Sequence, residues 1–121
     1  MMKIAERIAV HQKCSALITG ESVGQVASQT IYALGCTDAA SDLPVFRPCI
    51  GMDKDEIIRI SRDIDTFETS IQPYEDCCTV FTPKHPKTRP QLREILEAES
   101  VLDTGNLIEQ AVKTARKTVI Y

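Results

Sequence analysis

Two neighbouring cysteines, Cys77 and Cys78, stand in the stretch Ile71-Gln72-Pro73-Tyr74-Glu75-Asp76-Cys77-Cys78-Thr79-Val80. The thiolate is the nucleophilic form of cysteine, so such a pair could receive and pass on sulfur. Glu75 and Asp76 disfavour a thiolate by charge, while Lys84, His85, Lys87 and Arg89 follow closely enough to offset them. The residues alone leave two readings open: a reactive site or a pair of partly buried structural thiols. A redox role would show as a reversible Cys77–Cys78 disulfide, a strained and readily reduced ring.

A second segment with chemical potential is Thr19-Gly20-Glu21-Ser22-Val23-Gly24-Gln25-Val26-Ala27-Ser28-Gln29-Thr30. It is expected where a strand gives way to a helix N-terminus, a place whose unpaired N–H groups favour an anion. Gly20 and Gly24 would let a ligand approach the backbone, and Gln29 could hydrogen-bond a base or ribose. The glycine spacing matches neither the dinucleotide fingerprint nor the phosphate loop, and a capped turn is the alternative. The basic run Lys84-His85-Pro86-Lys87-Thr88-Arg89 could touch phosphate or simply be a solvated loop. Cys14, Cys36 and Cys49 fit small packing residues, and His11 an exposed helix position.

The elements that must carry these segments follow from periodicity. Residues 3–13 read as a helix with Ile4, Ala5, Ile8 and Ala9 on one face and no capping residue ahead, as though more chain preceded it. Ala16-Leu17-Ile18-Thr19 reads as a buried strand of the parallel kind, ended by Gly20. A helix over roughly 22–34 with Gly35 as its C-terminal cap completes half of a βαβ unit. Residues 44–50 look extended, with Pro48 suited to an edge or strand end. Asp53 and Glu56 form a capping box ahead of a helix whose inward face is Ile57, Ile60, Ser61 and Ile64. Residues 65–88 lack periodicity, and a loop of that length is usually functional or disordered. Thr88 with Gln91 is expected to cap a helix through Leu92, Ile95 and Leu96. A last helix is expected over about 105–116, and Val119-Ile120-Tyr121 as a short strand.

The 121 residues suit one domain, and 43% hydrophobic with 26% charged residues is near the globular average. Aromatics are 5% with no Trp, so Ile, Val, Leu and Ala must form the core. A net charge of −3 argues against a self-sufficient nucleic-acid binder, so RNA contact would need a local patch or another domain. There is no apolar run of about 18 residues and no apolar signal region, which makes a cytoplasmic protein the expectation and a membrane partner unexpected. Five irregularly spaced cysteines form a poor disulfide framework, and without a C-x-x-C no metal site is expected. Two or three strands are few for a sheet between five helices, a further hint of a partial domain whose exposed sheet edges favour homo-oligomers.

Taken together, several segments resemble the tRNA 4-thiouridine sulfurtransferase family, also linked to thiamine thiazole synthesis. They are Gly20 to Thr30, Leu43-Pro44-Val45-Phe46-Arg47-Pro48, Gly51-Met52-Asp53-Lys54, Pro73 to Cys78, and Pro83 to Pro90, in order and at matching spacing over about residues 4–112. The resemblance implies an α/β fold: a partial Rossmann-like, nucleotide α-hydrolase-like three-layer arrangement with a short parallel sheet and about five helices. It implies that residues 1–121 are the C-terminal part of a pyrophosphatase-loop ATP-binding domain. The Ser-Gly-Gly-x-Asp-Ser phosphate loop and the RNA-binding domains, which lie upstream in that family, are not in this sequence.

In such proteins ATP, as Mg–ATP, adenylates a uridine oxygen in tRNA, and a persulfide delivered by a cysteine desulfurase supplies sulfur to the activated carbon. Carried over by match, Gly20 and Gln29 would contact the nucleotide and Cys77 would bear or resolve the transferred sulfur, with Cys78 a candidate second thiol. A sulfur-carrier protein of thiazole synthesis is the partner on the other branch. Asp65 stands where a glycine is usual after the third helix. The reading that follows is sulfur transfer to an ATP-activated tRNA uridine, with these residues alone expected to be inactive. The alternative is a truncated, non-catalytic remnant or partner-binding subunit.

Overall fold

The structure, a computed structural model, describes residues 1–23, 29–74 and 87–120. Among them run six α-helices and two strands: α1 (Met2–His11), β1 (Leu17–Ile18), α2 (Ile31–Asp38), β2 (Val45–Phe46), α3 (Lys54–Asp63), α4 (Phe67–Ser70), α5 (Leu92–Glu99) and α6 (Thr104–Thr114). The two strands pair in parallel, Leu17 with Val45 and Ile18 with Phe46, across a crossover that contains α2. The mixed α/β class and the short parallel sheet are those expected. Five of the helices are eight residues or longer, and the sixth, α4, is a single turn inside the stretch that showed no periodicity.

Four of the six helices begin at a polar capping residue. The Thr30 hydroxyl accepts from the Ala33 N–H at 3.2 Å, so α2 starts at Ile31 rather than near residue 22, and Gly35 lies within it rather than ending it. Asp53 and Glu56 form the expected reciprocal box, at 2.8 and 2.9 Å. For α5 the start falls three residues later than expected. Gln91 is its N-cap, and the Glu94 carboxylate accepts from the Gln91 N–H at 3.2 Å, while the Thr88 carbonyl is engaged elsewhere. Lys87 at 2.6 Å, together with that N–H, holds the Glu94 carboxyl below the usual carboxylate range. Asp103 caps α6, and Val119 and Ile120 belong to no strand.

Helices α1 and α3 both end in a left-handed residue that is not glycine, Lys13 at φ 59° and Asp65 at φ 56°. In each case the hydrogen bonds are those of a Schellman motif. Cys14 N–H donates to the Ala9 carbonyl and Lys13 N–H to Val10, while Thr66 N–H donates to Ser61 and Asp65 N–H to Arg62. Asp65 therefore takes a conformation that glycine most often supplies at helix ends, at the smaller penalty its short polar side chain allows.

The core is small: among the described residues Ala9, Leu17 and Leu34 are the buried apolar side chains. Helix α1 packs on α6 and on β1, α2 on α5, and α3 on α4. One sheet face carries Leu17, 8% exposed, and the other carries Ile18 and Phe46 at 75% and 60%. Both faces of a parallel sheet are ordinarily covered, and the described residues cover one. For the same reason the expected inward stripe of α3 is half covered, with Ile57 and Ser61 partly buried and Ile60 and Ile64 exposed.

The carboxyl ends of the strands are joined by charge. Arg47 follows β2, and its Nε donates to Glu21 at 2.8 Å while a terminal nitrogen donates to Asp38 at 2.7 Å, at the end of α2. The Arg47 side chain is 11% exposed. Burial opposes its charge, but the hydrogen bonds and attraction from Asp38 and Glu21 prevail and raise its pKa above the ordinary arginine value. The Glu21 carboxylate also accepts from the Thr19 hydroxyl at 2.9 Å.

Two stability predictions follow from these features. Lys13→Gly should stabilise the fold by about 0.5–1 kcal/mol, because glycine adopts the left-handed conformation without a Cβ clash. Asp65→Gly should gain less, and urea unfolding of the two variants side by side checks the order. Arg47→Ala should destabilise by about 1–2 kcal/mol, since it strands the partly covered Glu21 carboxylate and releases the exposed Asp38. Arg47→Lys should recover less than half of that, because a single ammonium lacks the fork that spans both partners. A double-mutant cycle with Glu21→Gln in urea unfolding would reveal the coupling.

Candidate functional site

The loop leaving β1 is held at several points. Thr19 N–H donates to the Phe46 carbonyl at 3.0 Å, extending the parallel ladder by one rung. Gly20 comes next, exposed, and a Cβ built on it would meet nothing within 4 Å among the described residues. Its outer side is therefore open to a ligand at the carboxyl end of the sheet, where α/β folds bind theirs. Glu21 is tied to Arg47. Ser22 is the buried polar residue of this region, 3% exposed, and its hydroxyl donates to the Met52 carbonyl at 2.8 Å. Val23 N–H donates to the Ile50 carbonyl at 3.1 Å. The segment entering α3 thus forms the second wall of the loop.

Gln29 closes the loop from its far end. Its Oε1 accepts from the Ser22 N–H at 3.1 Å, so the side chain spans the loop between two residues seven apart. The carboxamide keeps its two N–H donors as a separate group. The structure therefore ties Gln29 to Ser22, two residues after Gly20, the other expected nucleotide contact. Residues 24–28, including Gly24, lie outside the described residues, as do Cys77 and Cys78.

Other expected roles resolve into packing and pairing. Of the basic run, Lys87 pairs with Glu94, and the Arg89 guanidinium lies 5.8 Å from the centre of the Tyr32 ring. Lys84, His85 and Pro86 fall outside the described residues. Cys14 is an exposed free thiol, and Cys36 and Cys49 are partly buried ones. His11 is exposed, as expected. Among the described residues no cluster of metal-ligating side chains forms, and no helix is long and apolar enough to cross a membrane.

Three contributors to the site were not singled out from sequence: Ser22, Thr30 and Arg47. Ser22 had been assigned to the start of a helix and gave no signal of burial. Arg47 carried a readable signal, a lone cation directly after the apolar pair Val45-Phe46 in a chain with an acidic residue directly after Gly20. Parallel pairing makes those two positions neighbours.

Comparison with known proteins bears on the family and the fold. The family model "Thiamine biosynthesis protein (ThiI)" matches residues 1–104. A "Probable tRNA sulfurtransferase" of Alkaliphilus oremlandii is 61% identical over 113 residues, covering 93% of this chain and 29% of that protein. One of Clostridium perfringens is 54% identical over 112 residues, with the same coverage of each chain. The chain thus spans less than a third of the length of these curated relatives. A crystal structure described as a 4-thiouridine synthetase–RNA complex with bound ATP superposes with a TM-score of 0.92 at 41% identity, covering 100% of this chain and 32% of that one. With a family model matched over most of its length, and sequence relatives and fold in agreement, the chain belongs to the ThiI family of tRNA sulfurtransferases.

Proposed function

We propose that residues 1–121 form the C-terminal part of a pyrophosphatase-loop ATP-binding domain and serve in 4-thiouridine synthesis, transferring sulfur to an ATP-activated uridine of tRNA. The observation that carries this reading is the likeness, along the whole chain, to a 4-thiouridine synthetase structure that holds both RNA and ATP. The open side of Gly20 supports it, because a nucleotide needs close approach to the backbone there. The hydrogen bond from Ser22 to Gln29, two residues after Gly20, is in keeping with it.

In this reading Gly20 and Gln29 hold the nucleotide, and the Arg47–Glu21 pair fixes the turn that presents them. Bound as Mg–ATP, the nucleotide supplies the adenylyl group that makes the uridine oxygen a leaving group. Cys77 carries a persulfide received from a cysteine desulfurase. Its outer sulfur forms a bond to the activated uridine carbon as AMP departs. A second thiol then attacks the sulfur bonded to Cys77, which releases the thiolated uridine and leaves a disulfide to be reduced by a cellular thiol. Cys78 is the candidate for that second thiol. The same persulfide could load a sulfur-carrier protein for the thiamine thiazole.

The test is a chimera in which this chain replaces the matching stretch of the Alkaliphilus oremlandii relative. It should form 4-thiouridine in tRNA, Cys77→Ser should abolish that activity, and Gln29→Ala should raise the KM for ATP by up to about 10-fold, the value of one hydrogen bond. Undiminished thiolation by the Cys77→Ser chimera would overturn the role given to Cys77. Failure of the unmutated chimera to thiolate would favour the alternative of a non-catalytic, partner-binding chain.

A further inference from the structure

Arg89 is an exposed cation whose backbone is fixed on both sides. The Thr30 hydroxyl donates to the Thr88 carbonyl at 2.8 Å, and the Cys36 thiol donates to the Pro90 carbonyl at 3.8 Å. Pro90 also holds the residue before it to extended backbone. Between these ties the Arg89 guanidinium lies over the Tyr32 ring, 5.8 Å from its centre. Tyr32 stands in the first turn of α2, three residues after Gln29, so the pair sits where the nucleotide loop gives way to the helix.

A cation–π contact draws on the charge of a guanidinium and offers no lone pair to its N–H donors. Among the described residues Arg89 makes no hydrogen bond and no ion pair, whereas Lys87 beside it is paired with Glu94. Tyr32 is 55% exposed, so the donors are presented at the surface. A long side chain already held against a ring loses less rotamer freedom when it binds. The result is a preordered fork of donors, the geometry that takes two oxygens of a phosphate. Two phosphate sources lie within the reading above, the nucleotide and the RNA, and the surroundings favour RNA. Both side chains are exposed, as suits a ligand lying across the surface rather than one enclosed by the loop. A chain of net charge −3 can meet a polyanion only through a local, unpaired cation. An aromatic ring beside an arginine is also the pairing that unpaired RNA uses, ring for base and cation for phosphate.

We propose that Arg89, held on the Tyr32 ring, binds a backbone phosphate of the RNA substrate and so sets the polynucleotide beside the nucleotide loop. This inference rests on the tRNA reading above and adds a contact for the RNA on this chain itself. Arg89 is the substrate contact, and Tyr32 is the positioning residue that acts through it.

The experiment is filter binding of tRNA to the chimera over a range of salt concentrations. Arg89→Gln should weaken binding by about 10-fold, the value of one charge-assisted contact. It should also reduce the slope of log K against log salt by about one, the mark of a lost phosphate contact. The KM for ATP and the urea midpoint should stay unchanged. Arg89→Lys should keep the slope and lose part of the affinity, because the charge remains and the fork is gone. Tyr32→Ala should weaken binding about 3-fold at an unchanged slope, and Tyr32→Phe, which keeps the ring, should restore it.

Undiminished tRNA binding by Arg89→Gln overturns the proposal. A loss of affinity at an unchanged salt slope does so too, because no phosphate contact would then have been removed. A raised KM for ATP would assign the guanidinium to the nucleotide, and a loss confined to binding of the cysteine desulfurase would assign it to a protein carboxylate. Either result overturns the RNA contact. Failure of the sulfurtransferase reading shows differently, as an unmutated chimera that binds tRNA without thiolating it, and the Arg89 measurement stays readable in that case.

Discussion

Parallel pairing of Leu17–Ile18 with Val45–Phe46 is the constraint on which the rest of the structure depends. Parallel strands end on the same side of a sheet, so whatever follows β1 and whatever follows β2 must meet. Gly20 and Glu21 follow the first, and Arg47 follows the second. The hydrogen bond from Arg47 to Glu21 is therefore a consequence of register, and it turns a two-residue pairing into a fixed corner. Asp38 draws the end of α2 into the same corner, so the crossover helix is pinned where it approaches β2.

From that corner the loop chemistry follows by short steps. With Glu21 fixed, Ser22 turns inward and donates to the Met52 carbonyl, ahead of the capping box that starts α3. Its N–H is then met by Gln29, and the adjacent Thr30 starts α2 while reaching Thr88. Each bond satisfies a backbone group that a loop would otherwise leave to solvent. The result is a stretch whose shape is set by polar contacts more than by apolar packing, in a protein whose buried apolar side chains among the described residues are three. Polar contacts are directional, so few of them suffice to orient a loop.

Much of this was legible in the sequence. Asp53 and Glu56 announced their helix because a capping box is local, needing no residue more than three positions away. Asp65 takes the left-handed conformation after α3 that glycine most often supplies at helix ends. The start of α2 was misread because the residue that matters, Thr30, caps through a hydroxyl that many non-capping threonines also carry. The start of α5 was misread because Thr88 and Gln91 satisfy the spacing of a capping box as well as Gln91 and Glu94 do. What decides between them is the Gln91 N–H, which donates to the Glu94 carboxylate. The stripe on α3 was read as fully inward because periodicity reports which face is apolar, not how much of it is covered.

The amino-acid sequence by itself determined the α/β class and the family, because composition, periodicity and local motifs depend on neighbours in the chain. It expected a helix from about residue 22, with Gln29 inside it, whereas the structure starts α2 at Ile31 and leaves Gln29 ahead of it. Only the tertiary structure decided that Gln29 closes on Ser22, that Arg47 joins Glu21 to Asp38, and that Thr30 reaches Thr88. The last of these bridges 58 residues, and the charged corner depends on a strand pairing 28 residues apart, from Leu17 to Val45. Side-chain chemistry states what a residue can bond to, and the fold alone determines which partner comes within 3 Å of it.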